Sequence, residues 1–143
     1  MKEKLFHVGV KALIEDEQGR VLLLKAPAWE KGNIEAHWDI PGGRIQEGGD
    51  VADTLEREIK EETGINRLES SKFITAVISN HQIKFEDQML GLVLMIYEVK
   101  VPSGGDVTLS HEHTAFEWVS KKEAAERLSE KYPPEFTEKL PLL

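Results

Sequence analysis

Glu58, Glu61 and Glu62 crowd five consecutive positions and close a strongly acidic stretch. Residues 43–65 hold seven acidic and three basic side chains, a net charge of −4 against −8 for the whole 143-residue chain. Half of the excess charge in so short a segment favours a positive partner. On a helical wheel with Val51 at zero, Leu55 and Ile59 fall at ~40° and ~80°, and Glu62 at ~20°. Glu62 therefore shares the face that packs. Glu58, at ~340°, borders that face, and Glu61, at ~280°, lies further round.

One reading is a solvated acidic helix, with Glu56–Lys60 and Arg57–Glu61 paired at four-residue spacing for about 0.2–0.5 kcal/mol each. It leaves Glu62 unexplained, because a part-buried carboxylate without a partner costs several kcal/mol or takes up a proton. The other reading is a hard divalent cation with oxygen ligands, which removes that difficulty. Gly42 and Gly43 just precede the segment. They read either as a tight turn or as backbone that a ligand approaches closely, where a carbonyl adds one more hard ligand.

The element that must position these glutamates is the best marked in the chain. Asp50 reads as an N-cap, Asp53 adds a carboxylate to the first turn, and Gly64 supplies a C-terminal stop. Val51, Ala52, Leu55 and Ile59 between them predict a helix from about Val51 to Thr63. Upstream, Phe6 to Ile14 and Arg20 to Lys25 read as a hairpin around Asp16-Glu17-Gln18-Gly19. Ala26 to His37 reads as a loop, and His37 to Ile40 as a short strand stopped by Pro41-Gly42-Gly43. Downstream, Lys72 to Ser79 and Gln88 to Val101 read as strands, the second apolar on both faces and so central. Ser103 to Asp106 is a turn and Ala115 to Val119 a strand. Ser120 with Glu123 is a capping box opening a helix to about Ser129. From about residue 131 the prolines predict an irregular tail. Interleaved strands and helices point to one α/β domain over residues 1–143, a mixed sheet with helices packed on it.

The totals exclude several classes. With no cysteine there is neither a disulfide framework nor a thiolate zinc site. The longest apolar run, Met89 to Tyr97, is about half a membrane span. The first residues lead into no signal-type apolar core, so a cytoplasmic protein is expected. An acidic surface repels phosphate backbones, which argues against binding a nucleic acid polymer.

At this point a family pattern is legible. Gly43-Arg44-Ile45-Gln46-Glu47-Gly48-Gly49, followed by Arg57-Glu58-Ile59-Lys60-Glu61-Glu62-Thr63-Gly64-Ile65, resembles the Nudix box. One fixed position departs: Gly49 stands where the first glutamate is expected. Trp38-Asp39-Ile40-Pro41-Gly42-Gly43 resembles the usual lead-in, and Glu112 with Trp118-Val119 the usual ending. The resemblance implies an α/β/α sandwich around a mixed sheet, with the box as loop, helix and loop. It implies hydrolysis of the phosphoanhydride bond of a nucleoside diphosphate derivative, here a small (deoxy)nucleoside triphosphate, with Mg²⁺ or Mn²⁺. On it Glu58, Glu61 and Glu62 are metal carboxylates, Gly42 offers a carbonyl, and Arg57 orients Glu58. The general base is either a box glutamate or a later one, for which Glu112 is chosen. A ligand-binding regulator that keeps the fold without catalysis is the alternative, and Gly49 is its only support.

Smaller signals remain. Trp29, His81 and Phe85 lie in or near loops, where they either stack on a base or pack on the domain. Trp38 and Trp118 read as core. His111 and His113, flanking Glu112, read as surface histidines of a mobile loop or else as a pair that binds metal or phosphate, and Glu86-Asp87 as a solvated turn or else a contact to metal or substrate. His37 has no role that the sequence discloses.

Overall fold

Alternate residues of the first two strands feed two different cores. The computed structural model describes residues 2–29, 34–102 and 106–143. On β1 (Phe6–Glu15) and β2 (Val21–Ala26), Val10, Ala12, Ile14, Leu22 and Leu24 enter one apolar cluster, and Leu13, Val21 and Leu23 the other. This is the two-residue alternation of a strand buried on both faces. Leu55 and Ile59 of α1 (Val51–Thr63) cover the first cluster. Ala124 and Leu128 of α2 (Lys121–Leu128) cover the second, with Phe136 of α3 (Pro134–Thr137). The result is three layers, α/β/α.

The remaining strands are β3 (His37–Asp39), β4 (Gly42–Arg44), β5 (Ser70–Ile78), β6 (Ile83–Phe85), β7 (Gln88–Lys100) and β8 (Ala115–Val119). The main path of the sheet runs β3-β2-β1-β7-β5, with β4 on β1, β6 on β7 and β8 on β2. β7 lies parallel to β1 and antiparallel to β5, so the sheet is mixed and β7 is central. The β1–β2 hairpin pairs only at its base, Glu15 with Val21. Farther along, β1 pairs instead with β4, Gly9 to Lys11 against Arg44 to Gly42. The preceding strand does stop before Pro41, but Gly42-Gly43 then opens a further strand, and the Pro41 carbonyl accepts the Ala12 N–H at 2.8 Å.

Helix α1 begins and ends where its caps predict. The Asp50 side chain accepts the Asp53 N–H at 2.8 Å, and Gly64 closes the helix at φ 75°. Neither expected surface pair is among the ion pairs of the described residues; Arg57 meets Glu58 rather than Glu61. Glu86 and Asp87 form a two-residue turn between β6 and β7, both at positive φ, as a tight hairpin requires. The segment from about residue 131, read as irregular, is ordered: Tyr132, Phe136 and Leu140 are buried against the sheet, and a 3-10 turn spans Leu140–Leu142. Its prolines open those turns rather than prevent them. Trp38 and Trp118 are half-buried at the margins of the two clusters, not inside them. The expected turn at Ser103-Gly104-Gly105 lies outside the described residues. No helix among the described residues is long and apolar enough to cross a membrane.

Candidate active site

Helix α1 sets its carboxylates down on the β4 backbone. A Cβ on Gly43 would lie 2.5 Å from Glu58 Cδ, so the Glu58 carboxylate occupies the space a side chain would take. A Cβ on Gly42 would strike the Val10 carbonyl oxygen. The Gly42 N–H donates to Glu62 Oε1 at 3.3 Å. Gly43 therefore lets helix α1 settle close on β4, and Gly42 lets β4 lie close against β1.

Glu62 is 3% exposed, as its place in the apolar arc of the helix predicts. Burial pushes its carboxyl up to about 8; the Lys11 charge opposes that rise and the neighbouring Glu58 adds to it. At neutral pH Glu62 therefore favours its protonated form when nothing else neutralises it. Two facing carboxylates are hard oxygen donors that fit a divalent cation, which would take the proton's place. Glu61 is exposed and stands apart, and among the described residues no three acidic or histidine side chains are already gathered at ligand spacing. Arg57 Nη2 lies 3.4 Å from Glu58 Oε1 and is itself largely exposed, so the tether is loose.

His113, read as a surface residue, has its side chain largely covered here instead. Its Nε2 lies 3.5 Å from Glu62 Oε2 and its side chain is 11% exposed. The loop carrying it is pinned at both ends, by the Thr108 N–H on the Thr63 carbonyl at 2.8 Å and the Thr114 N–H on the Lys25 carbonyl at 3.1 Å. Burial holds the imidazole below its usual pKa, so the ring is neutral at pH 7. Its Nδ1 is buried without a partner among the described residues. His111 stays exposed.

Beside Glu62 lies a buried polar cluster that the sequence did not disclose. Asp39 Oδ2 accepts from Lys11 Nζ at 3.1 Å and Lys131 Nζ at 2.6 Å. Its Oδ1 accepts the Ile40 N–H at 2.8 Å and the Tyr132 hydroxyl at 2.6 Å. Burial alone would raise the Asp39 pKa, but the two ammonium charges and these bonds hold it far below the carboxylate range. Burial lowers Lys131 to about 8 against the pull of Asp39. For Lys11 the charges of Asp39 and Glu62 win over burial and raise the pKa. A lysine inside the apolar run of β1 was the available signal for this cluster.

The cluster floors a cleft of about 560 Å³ that reaches from Gly43, beneath Glu58, to Trp29. That volume is in the range of small-molecule sites. His37 and His81 line it with their rings edge to face, centroids 4.9 Å apart, and Glu112 stands exposed at its rim. Phe85 lies outside this lining, packed edge-on to His7.

The NUDIX domain family model matches residues 5–140. A MutT-like protein of Streptomyces ambofaciens is 32% identical over 128 residues, covering 90% of this chain and 73% of its own. The CTP pyrophosphohydrolase of Escherichia coli K12 is 26% identical over 82% of this chain and 78% of its own. The crystal structure of a MutT protein from Methanosarcina mazei Go1 superposes with a TM-score of 0.70 at 28% identity, covering 96% of this chain and 92% of that one.

Proposed function

The chain belongs to the NUDIX domain family, and from that premise we propose that this pyrophosphohydrolase cleaves a small nucleoside triphosphate with the help of a divalent cation. The observation that carries the reading is the meeting of Glu58 and buried Glu62 at Gly42-Gly43, where the cleft begins. Glu58, Glu61 and Glu62 would hold Mg²⁺ or Mn²⁺, with the Gly42 carbonyl as a further ligand. When bound, such an ion neutralises phosphate oxygens and acidifies water.

The chain's own groups do the positioning. The Gly42 N–H fixes Glu62, and Arg57 restrains Glu58 with a loose charge-assisted bond. Glu61, exposed on the same helix, is free to turn toward the site. Glu112 at the rim takes the proton from the attacking water. The cleft holds the nucleoside, and Trp29 and His81 offer faces for the base. The activity in the name of the E. coli relative, on CTP, is of this type and supports a nucleoside triphosphate as substrate. Gly49 leaves the start of the box without its carboxylate; it sits in a turn where its N–H meets the Gln46 carbonyl at 2.9 Å.

The test is a hydrolysis panel of nucleoside triphosphates, nucleotide sugars, ADP-ribose and dinucleoside polyphosphates, each with Mg²⁺, Mn²⁺ or chelator. The expected result is triphosphate turnover that chelator abolishes. Tight nucleotide binding with no metal-dependent turnover on any substrate would replace the enzyme by a regulator. A second expectation concerns Gly43→Ala. The atoms nearest the added methyl are all at the flexible end of Glu58, so the melting temperature should hold while the carboxylate is displaced. The loss in kcat/KM should be about tenfold, as for other small misplacements of a catalytic group. Unchanged kinetics would show that the Glu58–Gly43 contact is immaterial.

A further inference from the structure

The charged groups on the floor of the cleft offer hydrogen-bond donors, and their one carboxylate has no acceptor position left. Asp39 is the only carboxylate among Lys11, Asp39 and Lys131, and its four lone-pair positions are taken by Lys11, Lys131, the Ile40 N–H and the Tyr132 hydroxyl. An ammonium group has three donors and no acceptor. Lys11 spends two of its three on Asp39 and the Ile40 carbonyl, and Lys131 spends one on Asp39. At least one donor of each lysine is thus left for whatever enters. A purely structural ion pair needs one lysine, yet two converge on Asp39.

We propose that the Lys11–Asp39–Lys131 cluster makes this cleft a subsite for nucleobases presenting two adjacent hydrogen-bond acceptors, and that it turns adenine away. The proposal rests on the reading that the cleft takes a nucleotide. Guanine presents O6 and N7 side by side, and cytosine O2 and N3; either edge accepts from both ammonium groups. Adenine cannot do so on the edges that carry its amino group. Next to N7, and equally next to N1, stands the N6 amino donor, which would face an ammonium with no acceptor in reach. A buried donor left unpaired loses its hydration without return, which is the strongest source of discrimination a small site has. The aromatic walls do not select, because Trp29, His37 and His81 present faces that stack on any base. The other side-chain acceptors of the lining stand where water competes: Glu112 is exposed, and His37 and His81 are half-exposed.

The test needs no catalysis and no metal. Dissociation constants of dGMP, dCMP and dAMP are measured by calorimetry at neutral pH in the presence of chelator. dGMP and dCMP should bind about tenfold or more tighter than dAMP. Lys131→Gln places an amide acceptor beside a donor, and should bring the three within about threefold of one another. Lys131→Arg, which offers donors only, should keep the ranking. Equal or tighter binding of dAMP, no binding of any of the three, or an equal loss for all three in Lys131→Gln would overturn the proposal. Where Lys131→Gln does not fold, the wild-type ranking decides alone. A base preference without turnover of any nucleotide would remove the hydrolase reading and leave this one standing. Turnover with no base preference would do the reverse.

Discussion

Glu58→Gln should lower kcat/KM by about a thousandfold with saturating Mg²⁺ and leave the fold intact, because charge neutralisation by a held cation is worth several kcal/mol and each 1.4 kcal/mol is a decade in rate. The amide has the size and shape of the carboxyl, and the site over Gly43 that the side chain fills is unchanged, so packing offers no reason for loss. What changes is charge. Glu58 is one of the causes that hold the Glu62 carboxyl up at about 8, and removing it leaves Glu62 as the single buried carboxyl at the Gly42-Gly43 junction. One buried carboxylate with Lys11 nearby has less need of a divalent ion than two have. Steady-state kinetics over a Mg²⁺ titration, together with thermal denaturation, measures both halves of the expectation. Partial recovery at high Mg²⁺ would place the loss in ion affinity, and no recovery would place it in the chemical step. Full magnesium-dependent activity at an unchanged melting temperature would refute the role given to Glu58.

How much of this was legible in the sequence depends on how local the physics is. Helix α1 was legible to the residue because its caps act within three or four positions: Asp50 on the Asp53 N–H, and Gly64 in a left-handed turn. The burial of Glu62 followed from helical geometry alone, since a wheel places it between Val51 and Leu55. β4 was not legible. Gly-Gly-Arg has no strand propensity, and those three residues are a strand only because β1 departs from β2 beyond Glu15 and leaves an edge to pair. The polar cluster was less legible still. Lys11 and Lys131 reach Asp39 across 28 and 92 positions, and no periodicity spans such separations. His113 illustrates the same limit, because its burial depends on where Thr63 and Lys25 hold the ends of its loop. The resemblance to the Nudix box marked the glutamates through local spacing. It could not mark the floor of the cleft, which is assembled from β1, β3 and the residues after α2.

That floor also bears on stability, and Asp39→Asn should cost about 3–5 kcal/mol, the usual penalty for removing one partner of a buried ion pair. Whole domains are stable by only about 5–15 kcal/mol, so the variant should sit near the limit of folding. Asn keeps the shape and can still accept from Ile40 and Tyr132, but it leaves Lys131 without a counter-charge beside it and Lys11 with only Glu62 nearby. The direction with pH follows from the same charges. In the folded chain Asp39 stays ionised far below the usual range, whereas in the unfolded chain it binds a proton near its ordinary value of about 3.9. The unfolded state therefore binds more protons as the pH falls through that value. The contribution of Asp39 is complete above it and is lost progressively below it. Urea unfolding from pH 7 down to pH 3 should show the wild type losing stability on the acid side, and Asp39→Asn, weaker throughout, lacking that part of the slope. A variant as stable as the wild type at neutral pH, with the same acid dependence, would mean that the lysines are hydrated in solution. The donor-only floor would then lose the rigidity on which base selection depends.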